Sequence, residues 1–245
     1  MNPAIKELRR YLSEAERIAF LTGAGMSTES GIPDFRSPSG IYASGVSQNV
    51  FDISVFRRDP ECFYRNIRPL VEQTANAQPN AGHLAISRLG EQGKEVAVCT
   101  QNIDTLHQQA GSADVYPVHG TVETFTCLSC GGQVDGKKVW EAVLEGDIPP
   151  AHDACGGVLK PDIVFFGEML PQEVLAGAEK NMARADVVVV AGTSLAVYPA
   201  AALPTVRPDH SRLVIINQAP TEQDAYADLV IHDSVGEVLA KAVDG

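Results

Sequence analysis

Arg17-Ile18-Ala19-Phe20-Leu21-Thr22-Gly23-Ala24-Gly25-Met26-Ser27-Thr28 is an apolar run of strand length that passes without a spacer into a glycine-rich stretch. Six residues with a continuous apolar centre suit a strand buried on both faces, and the glycines that follow predict a tight turn and a helix start. Working outward, Asn2 as N-cap and Pro3 at the first helical position open a segment whose Ile5, Leu8, Tyr11 and Leu12 recur at helical spacing. Further apolar runs at 96–100, 186–191, 213–217 and 229–232 read as buried parallel strands, and a shorter run covers 114–118. Between and after them, 82–91, 103–110, 172–184 and 235–243 read as helices. Near-continuously apolar strands alternating with helices define an α/β fold, a doubly wound parallel sheet covered on both faces.

Two stretches break that rhythm. Residues 37–79 open with Ser-Pro-Ser-Gly and carry Tyr42, Phe51, Phe56, Phe63 and Tyr64 without a clear strand, so they read as a loop followed by helices. Residues 121–157 are glycine-rich and hold three of the five cysteines, as a metal-bound insertion would. The chain therefore divides into a sheet unit of 1–36, 80–120 and 158–245 and a smaller helical and zinc-ribbon unit of 37–79 and 121–157.

Composition narrows the function classes. At 245 residues, 44% hydrophobic and 20% charged, the chain is an ordinary globular protein of one large domain, or one domain with a smaller lobe. No apolar run approaches the ~20 residues that span a bilayer, and residues 1–17 lack a signal peptide's apolar centre, so a cytoplasmic protein without membrane contact is expected. A net charge of −12, from 19 basic and 31 acidic groups, argues against nucleic acid as a partner and suits a basic peptide. An odd number of cysteines without an export signal points to a metal site or a reactive thiol in place of a disulfide framework.

Four groups of residues carry chemistry. The Gly23–Gly25 turn lets backbone approach a phosphate, although Thr28 stands where the dinucleotide fingerprint has its third glycine. It continues into Gly31-Ile32-Pro33-Asp34-Phe35-Arg36, where a carboxylate, an aromatic ring and a guanidinium adjoin the turn. Such charges are costly to immobilise unless they bind something. At strand ends lie Gln101-Asn102-Ile103-Asp104, His119-Gly120, Gly192-Thr193-Ser194 and Asn217-Gln218, and in an open α/β sheet the carboxyl ends of the strands face one crevice. Helix capping is the plainer job for Asn102 or Asp104, and a core role the plainer one for His119; facing the crevice, that histidine would be the natural general base. Finally, Cys127-x-x-Cys130 is half of a tetrahedral zinc site and His152-x-x-Cys155 supplies the other half, unless that site has lost its fourth ligand. A closed four-ligand site serves folding, and Cys62 and Cys99 read as core residues.

In order and spacing, Gly23-Ala24-Gly25-x-Ser27, Gly31-Ile32-Pro33-Asp34-Phe35-Arg36, Gln101-Asn102-Ile103-Asp104, His119-Gly120, the cysteine pair, Val164-Phe165-Phe166-Gly167-Glu168 and Gly192-Thr193-Ser194 resemble the sirtuin family, in its compact bacterial type. The match covers nearly the whole chain. The resemblance implies an NAD-dependent protein-lysine deacylase with a Rossmann-like domain beside a small zinc-and-helix domain, NAD lying in the crevice between them. It implies that the acyl oxygen attacks the nicotinamide ribose carbon with release of nicotinamide. His119 then serves as base on a ribose hydroxyl, and the acyl group migrates to give 2′-O-acyl-ADP-ribose.

By position, Gly23, Ala24, Thr28, Asp34, Phe35 and Arg36 would line the pyrophosphate and nicotinamide-ribose region. Gln101 would hold the ribose and Ile103 with Asp104 the carboxamide, Asn102 and Asp104 joining His119 in catalysis. Gly192, Thr193 and Ser194, then Asn217, Gln218, Ser234 and Val235, would hold the adenosine half. Phe51, Val164 and Phe166 are candidates to grip the lysine stem, while Gly167 with Glu168 and Leu195 with Val197 would flank the peptide as an added strand. Family members specialised for succinyl or malonyl groups place Tyr and Arg three apart in the loop after Asp-Phe-Arg. Here Tyr42 is followed by Gly45, so an uncharged acyl group, acetyl by default, is expected. Lys160 stands where the family more often has Arg, and His152 where it has a cysteine. An ADP-ribosyltransferase or NAD glycohydrolase would use the same site, and a non-catalytic NAD-sensing module is the reading of a different class.

Overall fold

The computed structural model describes residues 2–244. Helix α1 (Pro3–Glu14) starts where Asn2 accepts the Ala4 N–H, and strand β1 (Arg17–Thr22) follows. The small unit then contributes α2 (Ile53–Arg58) and α3 (Pro60–Thr74). The chain returns to the large unit through α4 (Ala81–Glu91), β2 (Glu95–Thr100), α5 (Leu106–Gln109) and β3 (Asp114–Pro117). It leaves again with β4 (Gly120–Cys127), β5 (Gln133–Asp135), α6 (Gly136–Glu145) and β6 (Leu159–Ile163). It closes with α7 (Gln172–Met182), β7 (Val187–Ala191), β8 (Arg212–Ile216), β9 (Leu229–Ile231) and α8 (Val235–Asp244).

All six strands of the large sheet are parallel, in the order β3-β2-β1-β7-β8-β9. The winding reverses between β1 and β7, which is the doubly wound arrangement with its switch point at that pair. Alternate residues explain why the strands read as uniformly apolar: Ile18, Phe20, Val98, Val189 and Val214 pack under α1, α4 and α8. Ala19, Leu21, Cys99, Val188, Val190 and Ile215 pack on the other face, under α7 and residues 200–203. The small unit joins the antiparallel sheet β5-β4-β6 to α2, α3 and α6 around Phe56, Phe63, Tyr64, Phe125 and Phe165. Phe63 and Phe165 lie 5.1 Å apart between ring centroids, and the Tyr64 hydroxyl donates to the Leu159 carbonyl at 2.5 Å.

Three expectations need correction. The predicted helix at 103–110 is only the single turn α5, because the Asp104 carboxylate takes the Leu106 N–H and leaves 101–105 outside the helix, with 101–103 along the crevice. The glycine-rich stretch opens no α-helix; it folds into two 3₁₀ turns, Ala24–Met26 and Thr28–Ser30, stopped by Gly31 at φ +86°. Strand β6 pairs with β4, so it joins the small sheet although a boundary at residue 158 leaves it with the large one. The outermost residues of the expected division, 1 and 245, lie outside the described residues.

Candidate active site

Strands β1 and β7 deliver Gly23 and Gly192 side by side at the switch point. The Gly25 N–H donates to the Gly192 carbonyl at 2.8 Å, and a Cβ on Gly25 would come within 2.9 Å of Gly192. Two backbones can touch here only without side chains. From this contact runs one cavity of about 950 Å³, spanning both units. Its wall includes Gly23, Ala24, Thr28, Asp34, Phe35, Arg36, Gln101, Asn102, Ile103 and His119, then Gly192, Thr193, Ser194, Asn217, Gln218 and Val235. Phe51, Val164, Phe166, Gly167, Glu168 and Val197 line it from the small-unit side and the segments that join it.

Second contacts fix most of these side chains. Asn102 is buried, and its amide donates to the Gly23 carbonyl at 3.0 Å and to Ser27 Oγ at 3.1 Å, pinning the glycine turn to the end of β2. Gln101 donates to Thr193 Oγ1 at 3.0 Å, tying β2 to β7 across β1. The Asp34 carboxylate accepts the N–H groups of Arg36 (2.9 Å) and Ser37 (2.7 Å), so it shapes its own loop, while Arg36 reaches Ser194 at 3.5 Å. Phe35 packs its ring against Tyr42 and Phe51, at centroid distances of 5.6 and 5.8 Å.

His119 carries the most informative geometry. Its Nδ1 lies 3.0 Å from the Gln101 carbonyl oxygen. A carbonyl only accepts, so Nδ1 holds the proton and Nε2 is left as a bare acceptor. Burial lowers the imidazole pKa below its ordinary value, against an upward pull from the Gln101 carbonyl. The ring is therefore neutral at neutral pH, in the tautomer a general base requires.

Three expected site residues stand off the wall. The half-buried Asp104 carboxylate accepts from Ser27 Oγ at 2.8 Å and from the Leu106 N–H at 3.1 Å. Burial raises its pKa, with the Leu106 and Ser27 donors working the other way. It acts on the cavity through the glycine turn. Leu195 is buried at φ 55°, and Ser234 is turned to Glu29, whose carboxylate accepts its hydroxyl at 2.6 Å. Phe166 lines the cavity, but its N–H donates to the Phe51 carbonyl and its own carbonyl accepts from Ile53. That leaves the Gly167 backbone and the Glu168 carbonyl on this segment, since the Glu168 N–H donates to the Phe165 carbonyl at 3.0 Å. Wall residues that the sequence does not single out include Glu29, Met169 and Leu175. Glu29 lies between two quoted motifs and carries a signal as an acid next to a phosphate-type turn; Met169 and Leu175 are apolar residues of loop and helix with none.

The metal ligands converge as the spacing implies. Ligand atoms of Cys127, Cys130, His152 and Cys155 all lie within 4.8 Å of one another. Cys130 Sγ lies 3.2 Å and Cys155 Sγ 3.4 Å from His152 Nδ1, with 3.5 Å between Cys127 and Cys155. A tetrahedron of ~2.3 Å Zn–S bonds has edges of roughly 3.8 Å, so this set has the size and chemistry of a zinc site. Gly132 and Gly157 shape the cradle, since a Cβ there would come within 2.7 Å of His152 Cε1 and 2.6 Å of Cys127 Sγ.

Fold and cavity together define a Rossmann-like nucleotide-binding protein whose site lies at the joint with a metal-binding unit. The model of the Sir2 family matches residues 23–199. An NAD-dependent protein deacetylase of Clostridium perfringens is 40% identical, covering 100% of both chains, and one of Thermotoga maritima is 43% identical over 98% of this chain and 97% of its own. A solved structure bearing on the mechanism and regulation of Sir2 enzymes superposes with a TM-score of 0.92 at 38% identity, over 100% of this chain and 98% of the other. A Sir2 structure with a p53 peptide and NAD+ superposes with a TM-score of 0.88 at 42% identity, over 96% and 95%. The chain belongs to the Sir2, or sirtuin, family, as its motifs imply.

Proposed function

We propose that this chain is an NAD-dependent protein-lysine deacetylase, transferring the acetyl group of a modified lysine to ADP-ribose and releasing nicotinamide. The observation that carries the reading is the bare Nε2 of His119 in a cavity that joins the nucleotide side to an apolar channel. When bound, NAD supplies the electrophilic ribose carbon that gives up nicotinamide and the hydroxyl that accepts the acyl group. Gly23, Ala24, Thr28, Phe35 and Arg36 hold the pyrophosphate side, and Gln101, Asn102 and Ile103 the nicotinamide-ribose side. Gly192 to Ser194, Asn217, Gln218 and Val235 hold adenosine, with Ser234 behind them. His119 takes a proton at Nε2, and Phe35 keeps water away from the reacting carbon.

Phe51, Val164 and Phe166 receive the lysine stem of a protein or peptide substrate, and Gly167, Glu168 and Val197 pair with its backbone. Arg36 and His119 are the basic residues of the cavity wall, and neither is placed to neutralise an acyl carboxylate, which supports acetyl over succinyl groups. Zinc held by Cys127, Cys130, His152 and Cys155 fixes the turn between β4 and β5 to the loop before β6 and has no part in the chemistry. A net charge of −12 favours lysine-bearing segments over nucleic acid as partners. No helix among the described residues is long and apolar enough to cross a membrane.

Incubation with NAD and an acetyl-lysine peptide is expected to release nicotinamide and deacetylated peptide in equal amounts. Release of nicotinamide at the same rate without the acetyl group would replace this reading with NAD glycohydrolysis or ADP-ribosyl transfer.

A further inference from the structure

Glu29 does not belong to any role assigned above, yet its carboxylate lines the cavity wall and is held there by two donors from a distant segment of the chain. One oxygen, Oε1, accepts from Ser234 Oγ at 2.6 Å and from the Gly236 N–H at 2.8 Å. Its other oxygen fills the space beside Gly236, where a Cβ would collide with the carboxylate. Gly236 in turn lies against Gly82 of α4, whose own Cβ would come within 3.0 Å of it. The carboxylate thus joins the second 3₁₀ turn of the glycine-rich stretch to the first turn of the ten-residue helix α8, just where Val235 enters the cavity. A negative charge at a helix N-terminus also meets the positive end of the helix dipole.

The position has a consequence for ligand choice, which rests on the adenosine assignment made above. Asn217, Gln218 and Val235 form the adenosine end, and the charged residue tied to α8 there is Glu29. Arg36 and His119 are engaged with Ser194 and Gln101. A phosphate added to the adenosine ribose would meet a carboxylate, at a helix start whose Gly236 N–H is already donated. The geometry points to Glu29 as the positioning residue that would fit the adenosine end to an unphosphorylated ribose: it holds α8 on the glycine-rich turn, and it sets a negative charge at that end of the cavity, which would repel an added phosphate. Such a charge would favour NAD over NADP.

Calorimetric binding of ADP-ribose and of its 2′-phosphorylated form to the zinc-loaded protein tests this without relying on turnover. In Glu29→Gln the amide oxygen still accepts from Ser234 and Gly236, but the charge is gone. The preference for ADP-ribose should narrow about fivefold, an effect kept small because Glu29 is exposed to screening solvent. In Glu29→Ala both contacts disappear, so the Kd for ADP-ribose should rise about tenfold and the loss should appear in KM for NAD, with kcat far less affected. An unchanged preference in Glu29→Gln, or wild-type ADP-ribose affinity in Glu29→Ala, overturns the proposal. If Glu29→Ala does not fold, Glu29→Gln decides it. Wild-type protein that binds ADP-ribose but deacetylates no peptide would end the deacetylase reading and leave the Glu29 comparison valid, whereas wild type that binds neither nucleotide ends both.

Discussion

The six-stranded sheet is covered on both faces by α1, α4, α7 and α8, and its central strands β1, β7 and β8 bury nearly every residue they contain. The three-stranded sheet offers its aromatic core to α2, α3 and α6, and beyond it the chain is gathered by four metal ligands. The first unit therefore holds its site geometry through strand ends embedded in a large apolar body, and the second through a few specific contacts around a small one. The cavity lies at their joint. Its nucleotide side is built from β1, β2, β7 and β8, while its peptide side hangs on the pairs Val164 N–H to His119 carbonyl and Phe166 N–H to Phe51 carbonyl, both 2.8 Å. Perturbing the small unit should strike peptide binding first and nucleotide binding last.

Removing the metal is the harshest test of that difference. Structural zinc is worth about 10–16 kcal/mol in small zinc peptides, more than a core of this size can replace. Chelation is expected to abolish deacetylation and to raise proteolytic sensitivity in 121–157, while ADP-ribose affinity stays within about tenfold of the loaded protein, as calorimetry would read. Loss of nucleotide binding in parallel would show that the two units form one cooperative structure. His152→Ala should have lower zinc content in metal analysis, since it removes a ligand whose Nδ1 lies within 3.4 Å of two thiols.

His119→Ala sharpens the same contrast from the other side. A positioned general base contributes roughly 10²–10⁴ in rate, so kcat should fall by about that factor with zinc content and ADP-ribose affinity retained. The pH profile has a defined sign. A base must be unprotonated to act, and burial lowers the His119 pKa. Activity should hold through neutrality and fall only on the acid side, below the ~6.5 of a free imidazole. An acid limb above that value would contradict the half-buried, neutral ring.

The sequence makes much of this legible where one signal has one meaning. A strand-length apolar run followed by glycine marks a crevice at a strand's carboxyl end, so Gly23, Gln101, His119 and Gly192 fall where their motifs imply. The motif does not tell which way a side chain turns. Asp104 reads like its neighbours Asn102 and Ile103, but burial and the Ser27 hydroxyl draw it behind the wall. Likewise Phe166 and β6 carry the right residue types, while the pairing partner that commits their backbone comes from a distant segment. Glu29 is legible as an acid near a turn, and its partner α8 lies more than two hundred residues away.

Acid should distinguish the units on a smaller scale. His83 and His107 are buried beneath the large sheet's glycine turn with ring centroids 4.7 Å apart. Burial drives His83 down to about 4, and burial, then the neighbouring His83, drives His107 well below its ordinary value. Because the folded pKa lies below the unfolded one, the unfolded chain binds more protons at low pH. Stability is full above ~6.5 and drains away as pH falls from there towards the folded value. For His83 alone the loss between pH 7 and pH 5 is about 2 kcal/mol. Denaturant unfolding of wild type and His83→Gln at both pH values isolates this term, because metal release in acid affects both proteins equally. An identical pH dependence in the two would exclude His83 as its source.

The smallest expected effect localises stability within the small unit. Burial of Tyr64 raises its hydroxyl pKa, so the group stays protonated and donates to the Leu159 carbonyl at the start of β6. Tyr64→Phe keeps the ring in its aromatic cluster and leaves that carbonyl without its side-chain donor, at a cost of about 1 kcal/mol. If the small unit opens independently, hydrogen exchange in β4 and β6 should quicken about fivefold while β1 and β7 keep their wild-type rates. Equal acceleration in both sheets would mean that the joint transmits the loss, and the parallel sheet would then owe part of its rigidity to the small unit packed beside it.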